Sequence, residues 1–118
     1  MVVTSAYDGY VRLWDMFRSS CIKTMVAESG STSAVSICKL SANAKYIFIG
    51  NMNDQLGLYD LDGKLVKAYT GHLNTQYCLD FCLANINYKG SRNIIMTGSE
   101  DGRVVAWDLN SQKVLASR

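Results

Sequence analysis

The chain has 118 residues, a net charge of +2, 48% apolar and 19% charged residues, which suits one globular domain with a core and excludes a disordered chain. So small a charge gives no argument for nucleic acid or a membrane surface. No apolar run approaches the ~18 residues of a membrane helix, and the opening MVVTSAYDGYVRLWD shows no basic region followed by an apolar stretch, so no secretory signal is expected.

Proline is absent, the helical period is poor throughout, and short apolar runs alternate with turn residues. The first segment, VVTSAYDGYVRLWD, reads as strand, Asp8-Gly9 turn and strand. Such a turn needs positive φ, which glycine supplies without strain. CIKTM follows as a further strand, then VSICKL as the first strand of a new unit. YIFIGNMNDQLGLYD repeats the hairpin with a poorer turn at Asn53-Asp54, and LVKAY closes that unit. After Gly71-His72 come a strand in YCLDFCL, the hairpin NIIMTGSEDGRVVAWD with its turn at Asp101-Gly102, and the strand KVLAS. Lys89 and Arg92, in NYKGSR, are expected to decorate a solvated loop.

Aligned on Asp8, Asp54 and Asp101, the three hairpins recur every 46 or 47 residues. A period of this order with four short strands per unit is that of WD-repeat β-propeller blades. Trp14-Asp15 and Trp107-Asp108 resemble that family's terminal pair, Tyr59-Asp60 a degenerate version, and Gly71-His72 its GH pair. The expected fold is all-β: 1–30 as strands b to d of one blade, 31–70 as a complete degenerate blade, and 71–118 as a second complete blade. Propellers close with ~4–8 blades. A piece this size would expose strand edges and an apolar face at each end, so the isolated chain is expected to be oligomeric or aggregation-prone.

The resemblance implies a buried relay in the last blade: Asp101 orients the His72 ring, His72 bonds the Thr97 hydroxyl, and Thr97 accepts from the Trp107 indole. A polar chain of this kind is tolerable when every member has a partner. Thr4, Asp8 and Trp14 occupy the same places in the first unit; Gly50, Asp54 and Tyr59 occupy them in the second, where the relay is expected to be missing.

Nothing points to catalysis. His72 is the only histidine, no nucleophile-elbow, P-loop or zinc-protease pattern occurs, and no cofactor is expected. Cys78 follows His72 by six residues, but a catalytic pair would need the histidine free of the relay. Cys21, Cys38, Cys78 and Cys82 show neither disulfide-framework nor metal-ligand spacing. They are expected to be buried free thiols of an intracellular protein, with no metal site.

Beyond the blade signature, SAYDGYVRLWD, VSICKLSANAKYI, GKLVKAYTGHLNTQYC and TGSEDGRVVAWDLNSQK resemble the WD-repeat scaffold subunit of COMPASS/MLL-type histone lysine methyltransferase complexes. That resemblance implies a nuclear, chromatin-associated scaffold with two faces. One takes an arginine-containing peptide, from a histone tail or a methyltransferase motif, in the channel; the matching places are Tyr7, Ser36, Ile37, Gln76, Tyr77, Cys78 and Asp80. The other docks a sister subunit, at Asn43, Tyr46, Leu58, Lys67 and Asn110. Ile37 and Asp80 stand where the family has Phe, and the latter ring is one of two that sandwich the arginine. Period-two alternation across YCLDFCL places Asp80, not Phe81, in the channel. A carboxylate there is expected to make binding more salt-sensitive and more tolerant of lysine. The alternative assignment is a cytoplasmic WD-repeat protein, either the substrate receptor of a ubiquitin ligase or a ribonucleoprotein-assembly scaffold.

Overall fold

A computed structural model describes residues 1–26, 33–87 and 90–118. Within them the chain is all-β, with eleven strands and no helix. The first sheet holds β1 (Val2–Ser5), β2 (Tyr10–Asp15) and β3 (Ser20–Val26). The second holds β4 (Val35–Leu40), β5 (Tyr46–Asn51), β6 (Gln55–Asp60) and β7 (Leu65–Thr70). The third holds β8 (Phe81–Ile86), β9 (Arg92–Gly98), β10 (Val104–Asp108) and β11 (Val114–Ser117). Each is an antiparallel meander in chain order, so one three-stranded and two four-stranded blades stand side by side as a propeller fragment.

Alternation decides which face of each sheet is buried. Val11, Leu13 and Met25 of the first sheet meet Val35, Ile47, Ile49 and Tyr59 of the second. The opposite face of the second sheet sends Phe48, Leu56, Leu58 and Tyr69 against Phe81, Ile95, Val105 and Trp107 of the third. Rings interlock at this second seam: Phe48 and Phe81 centroids lie 5.8 Å apart, Tyr69 and Trp107 6.0 Å apart. Each such side chain contributes about 1.5–3 kcal/mol on burial, so the seams, rather than the sheets, supply most of the cohesion between blades. At the two outer ends Tyr10 and Val104 stay exposed.

Lysines cross both seams. Lys23 on β3 donates to Asp62 in the β6–β7 turn at 3.0 Å. Lys67 on β7 donates to the Asn110 carbonyl in the β10–β11 turn.

Four expectations need correction. The pairings Ser5↔Val11, Asn51↔Gln55 and Gly98↔Val104 centre the hairpins on Asp8, Asn53 and Asp101. Asn53, not Asp54, is therefore the counterpart of Asp8, and Ile49, not Gly50, the counterpart of Thr4. The positive φ explains the slip: it falls on Gly9 (86°) and Gly102 (85°), and in the middle hairpin on Asp54 itself (64°). Asp54 occupies the glycine position. Next, the strand expected in YCLDFCL begins only at Phe81, which pairs with Thr97 one residue before β9 ends; the Tyr77 N–H is held by the Glu100 carboxylate. Arg92 is in β9 and pairs with Asp108 at 3.4 Å, while Lys89 and the 30/31 boundary lie outside the described residues. Finally, the cysteines are free but mostly not buried: Cys21, Cys78 and Cys82 are exposed and Cys38 is half-buried. Cys21 is on an edge strand, Cys78 in a loop and Cys82 on the side of β8 away from the seam. Burial pushes the Cys38 thiol up.

Candidate functional site

Antiparallel strands send the hairpin turns at Asp8, Asn53 and Asp101 to one rim of the fragment. The β4–β5, β6–β7 and β10–β11 turns lie on the other. A concavity of about 630 Å³ opens on that second rim, at the seam between the second and third sheets. Its walls include Asn43, Tyr46, Leu58, Lys67 and Asn110, so all five residues assigned to sister-subunit docking face one groove. They come from the β4–β5 turn, β5, β6, β7 and the β10–β11 turn, which only the blade register brings together. Phe48, Val66, Leu83, Ile94 and Leu109 supply apolar wall, while Asn85 and Asn93 add two more amides.

Local bonding holds these groups in place. The Asn43 side-chain oxygen accepts from the Ser41 hydroxyl at 2.7 Å and from the Lys45 N–H at 3.0 Å, making a rigid turn with Ala44 at φ 56°. The Asn110 N–H donates to Asp108 at 2.9 Å, and the same carboxylate accepts from Ser111 N–H; these bonds hold the Asp108 carboxyl below its ordinary value. Leu58 is buried as seam core while also forming groove wall. The groove is thus an apolar trough with a lysine and several amides on its rim. Such a lining suits an extended segment with apolar anchors and a negative charge.

On the opposite rim, the Tyr7 hydroxyl lies 3.3 Å from Cys78 Sγ, linking the β1–β2 turn to the β7–β8 loop. Tyr7 and Tyr77 are exposed. Glu100 holds the loop carrying Gln76, Tyr77 and Cys78 through its bonds to Thr75, Gln76 and Tyr77, and those N–H groups keep its carboxyl low. Ser36 donates to the Gly50 carbonyl at 3.0 Å. Ile37 packs against the seam core, so its side chain serves cohesion before any ligand. Asp80 is exposed, but its carboxylate is 2.8 Å from Lys39 Nζ, and this contact holds its carboxyl low. Phe81 is buried against Phe48, leaving Asp80 as the more accessible of the two. Lys39 and Glu100 were missed in the sequence. A lysine within the predicted strand VSICKL was the available signal for the first.

The relay does not form as drawn. The Trp107 indole donates to the Thr70 carbonyl at 2.8 Å, and the Thr97 hydroxyl donates to the Asp80 carbonyl at 2.8 Å. Asp101 turns to Arg103, 2.6 Å away, whose guanidinium also reaches the Gly71 carbonyl and the Ser117 hydroxyl. His72 is buried edge-on to Trp107, 5.3 Å between centroids, and its Nδ1 finds no partner among the described residues. Burial lowers its pKa, so it is neutral at pH 7. The reason is the seam: β7 presents a carbonyl to the indole from the neighbouring blade. The tryptophan–threonine link appears instead in the first sheet, on its outer face, where Trp14 donates to Thr4 at 2.9 Å.

Among the described residues no group of three or more potential metal ligands gathers, and no helix is long and apolar enough to cross a membrane. Residues 63–108 match the family model described as WD domain, G-beta repeat. An uncharacterized WD repeat-containing protein of Schizosaccharomyces pombe is 30% identical over 118 residues, covering 99% of this chain and 36% of the relative. COMPASS component SWD3 of Saccharomyces cerevisiae is 23% identical over 124 residues, covering 95% of this chain and 38% of the relative. GID complex subunit 7 of Schizosaccharomyces pombe is 27% identical over 114 residues, covering 96% and 21%. The chain spans well under half the length of the curated relatives it matches.

Proposed function

We propose that this WD-repeat chain is a protein-interaction scaffold that docks a sister subunit in the groove between its second and third sheets. The carrying observation is the convergence of Asn43, Tyr46, Leu58, Lys67 and Asn110 on one trough. Those residues were selected on resemblance alone, and they lie up to 67 positions apart in the sequence. The finer reading is a subunit of a nuclear histone lysine methyltransferase complex whose channel rim receives an arginine-containing peptide; the likeness to a COMPASS component supports it. The chemistry of this reading is binding: the groove offers apolar wall, amides and a lysine, and the one histidine lies outside it, buried against an indole.

An acidic, apolar-rich segment of the sister subunit should enter the trough with its anion toward Lys67. Tyr46→Ala removes an aromatic anchor from the wall and should weaken binding roughly 10–30-fold, the worth of a moderate hot spot. Lys67→Glu should abolish it by charge reversal, although its loss of the Asn110 bond calls for a parallel melting curve. Tyr77→Ala, on the other rim, should leave docking unchanged. Titration of the sister segment against the three variants decides; undiminished binding to both groove variants moves the docking site elsewhere. A second reading puts the same groove in a ubiquitin-ligase assembly; the likeness to a GID complex subunit shows only that similar chains serve complexes other than COMPASS. Affinity capture that recovers ligase subunits and no methyltransferase subunits would select it.

A further inference from the structure

The inner strands of the second and third sheets already hold a cation, and it is the protein's own. Lys39, near the end of β4, reaches across the seam to the start of β8. Its Nζ lies 2.8 Å from an Asp80 carboxylate oxygen, 2.6 Å from the Phe81 carbonyl and 4.7 Å from the centroid of the Phe81 ring. A carboxylate, a carbonyl and an aromatic face are the three kinds of group that together recognise an organic cation. Lys23 and Lys67 also cross seams, but they bond turn groups on the opposite rim. Among the described residues, Lys39 is the one seam lysine set over a ring.

We propose that Lys39 is an internal competitor for the channel's cation position, and so sets how tightly that site takes any incoming cation. The inference rests on the arginine-peptide reading given above, and it states what such a peptide must do on arrival: displace the ammonium. The displacement is feasible. The Lys39 and Asp80 side chains are 40% and 74% exposed, so their attraction is screened by water and salt. Lysine's stem is flexible enough to swing its charge into solvent without moving β4. The incoming group must also outdo what it replaces. A guanidinium can do so, since its planar fork pairs both oxygens of a carboxylate while its face lies on a ring. A peptide lysine brings only the ammonium that Lys39 already supplies. The cost of displacing Lys39 is the same for either cation, so Lys39 lowers the affinity for both without changing their ratio.

The test titrates one fluorescent peptide in three forms, with arginine, lysine or the uncharged citrulline at the central position. The proteins are the 118-residue chain, Lys39→Met and Lys39→Gln. Removal of the competitor should strengthen arginine-peptide binding roughly tenfold, the combined worth of an exposed ion pair and one cation–π contact. It should strengthen lysine-peptide binding by the same factor, since the ammonium displaced is common to both peptides. If the arginine peptide binds all three proteins equally, Lys39 is only a bridge between blades; the competitor is overturned and the channel reading stands. If it binds none of them, both are overturned. A readout on the unmutated protein covers the case in which the variants fail to fold. Acetylation of the Lys39 amine, followed by peptide mapping, should accelerate when the arginine peptide saturates the site and stay constant with citrulline. A bound arginine peptide that leaves the labelling rate unchanged overturns the proposal. So does equal acceleration by citrulline, since release would then not be an exchange of cations.

Discussion

Trp107→Ala should destabilise the fold by about 3–5 kcal/mol, the range for emptying a large aromatic site in a core. The indole is fully buried at the second seam, where it meets Tyr69, the edge of His72 and the Thr70 carbonyl. Nothing nearby can refill that volume: Phe81, Ile95 and Val105 are themselves packed across the seam. Trp107→Phe keeps most of the volume and deletes the indole N–H, orphaning the Thr70 carbonyl; its cost should be about 1–3 kcal/mol. Leu73→Ala, at a half-exposed position in the adjoining loop, should cost far less than either. Urea unfolding of the three variants orders them. A Trp107→Ala midpoint no lower than that of Leu73→Ala would show that this seam does not carry the stability assigned to it.

Alkali should loosen the same seam through Tyr69. Its phenol is fully buried and donates to the Leu109 carbonyl at 2.5 Å. Burial, aided by the Asp108 carboxylate, pushes its pKa from 10.0 up to about 12. The folded state therefore holds its proton more tightly than the unfolded chain. The stability this represents is fully present below pH 10 and is lost as pH rises toward 12, by up to about 3 kcal/mol. Tyr69→Phe should remove that slope at a cost of about 1 kcal/mol near neutrality for the missing hydrogen bond. Unfolding midpoints of both proteins measured across pH 8–11.5 should converge and then cross. Curves that stay parallel would mean that Tyr69 ionises without resistance.

Much of this architecture was legible in the residues, for identifiable reasons. Asp8-Gly9 and Asp101-Gly102 announce their turns because the needed φ is written in the glycine; at Asn53-Asp54, where an aspartate takes that conformation, the alignment slips by one. The repeat layout marked VSICKL as the first strand of its unit, and β4 spans those six residues. In YCLDFCL the strand starts late because its partner β9 ends at Gly98, one residue beyond the Thr97 that pairs with Phe81. The relay was misjudged for a similar reason. The pattern of histidine, threonine, aspartate and tryptophan says which groups are available. It does not say that Thr70, on a neighbouring sheet, puts a carbonyl closer to the indole. The groove residues were found by resemblance, since no local pattern distinguishes Leu58 in the trough from any other strand leucine.

The cross-seam lysines carry a direction. Lys23, Lys39 and Lys67 each reach from an earlier sheet to the one that follows it in the chain, ending at Asp62, Asp80 and Asn110. The middle sheet consequently holds both halves of the fastener, the socket at Asp62 for its predecessor and the plugs at Lys39 and Lys67 for its successor. A tandem copy of such a unit would renew the Lys67-type link at its own Asp62, but its Lys39 would meet Ile37 where the third sheet has Asp80, so one tie of the two would have to be rebuilt. Lengthening or shortening the array by whole units is still an easier alteration for this sequence than reordering strands within a unit.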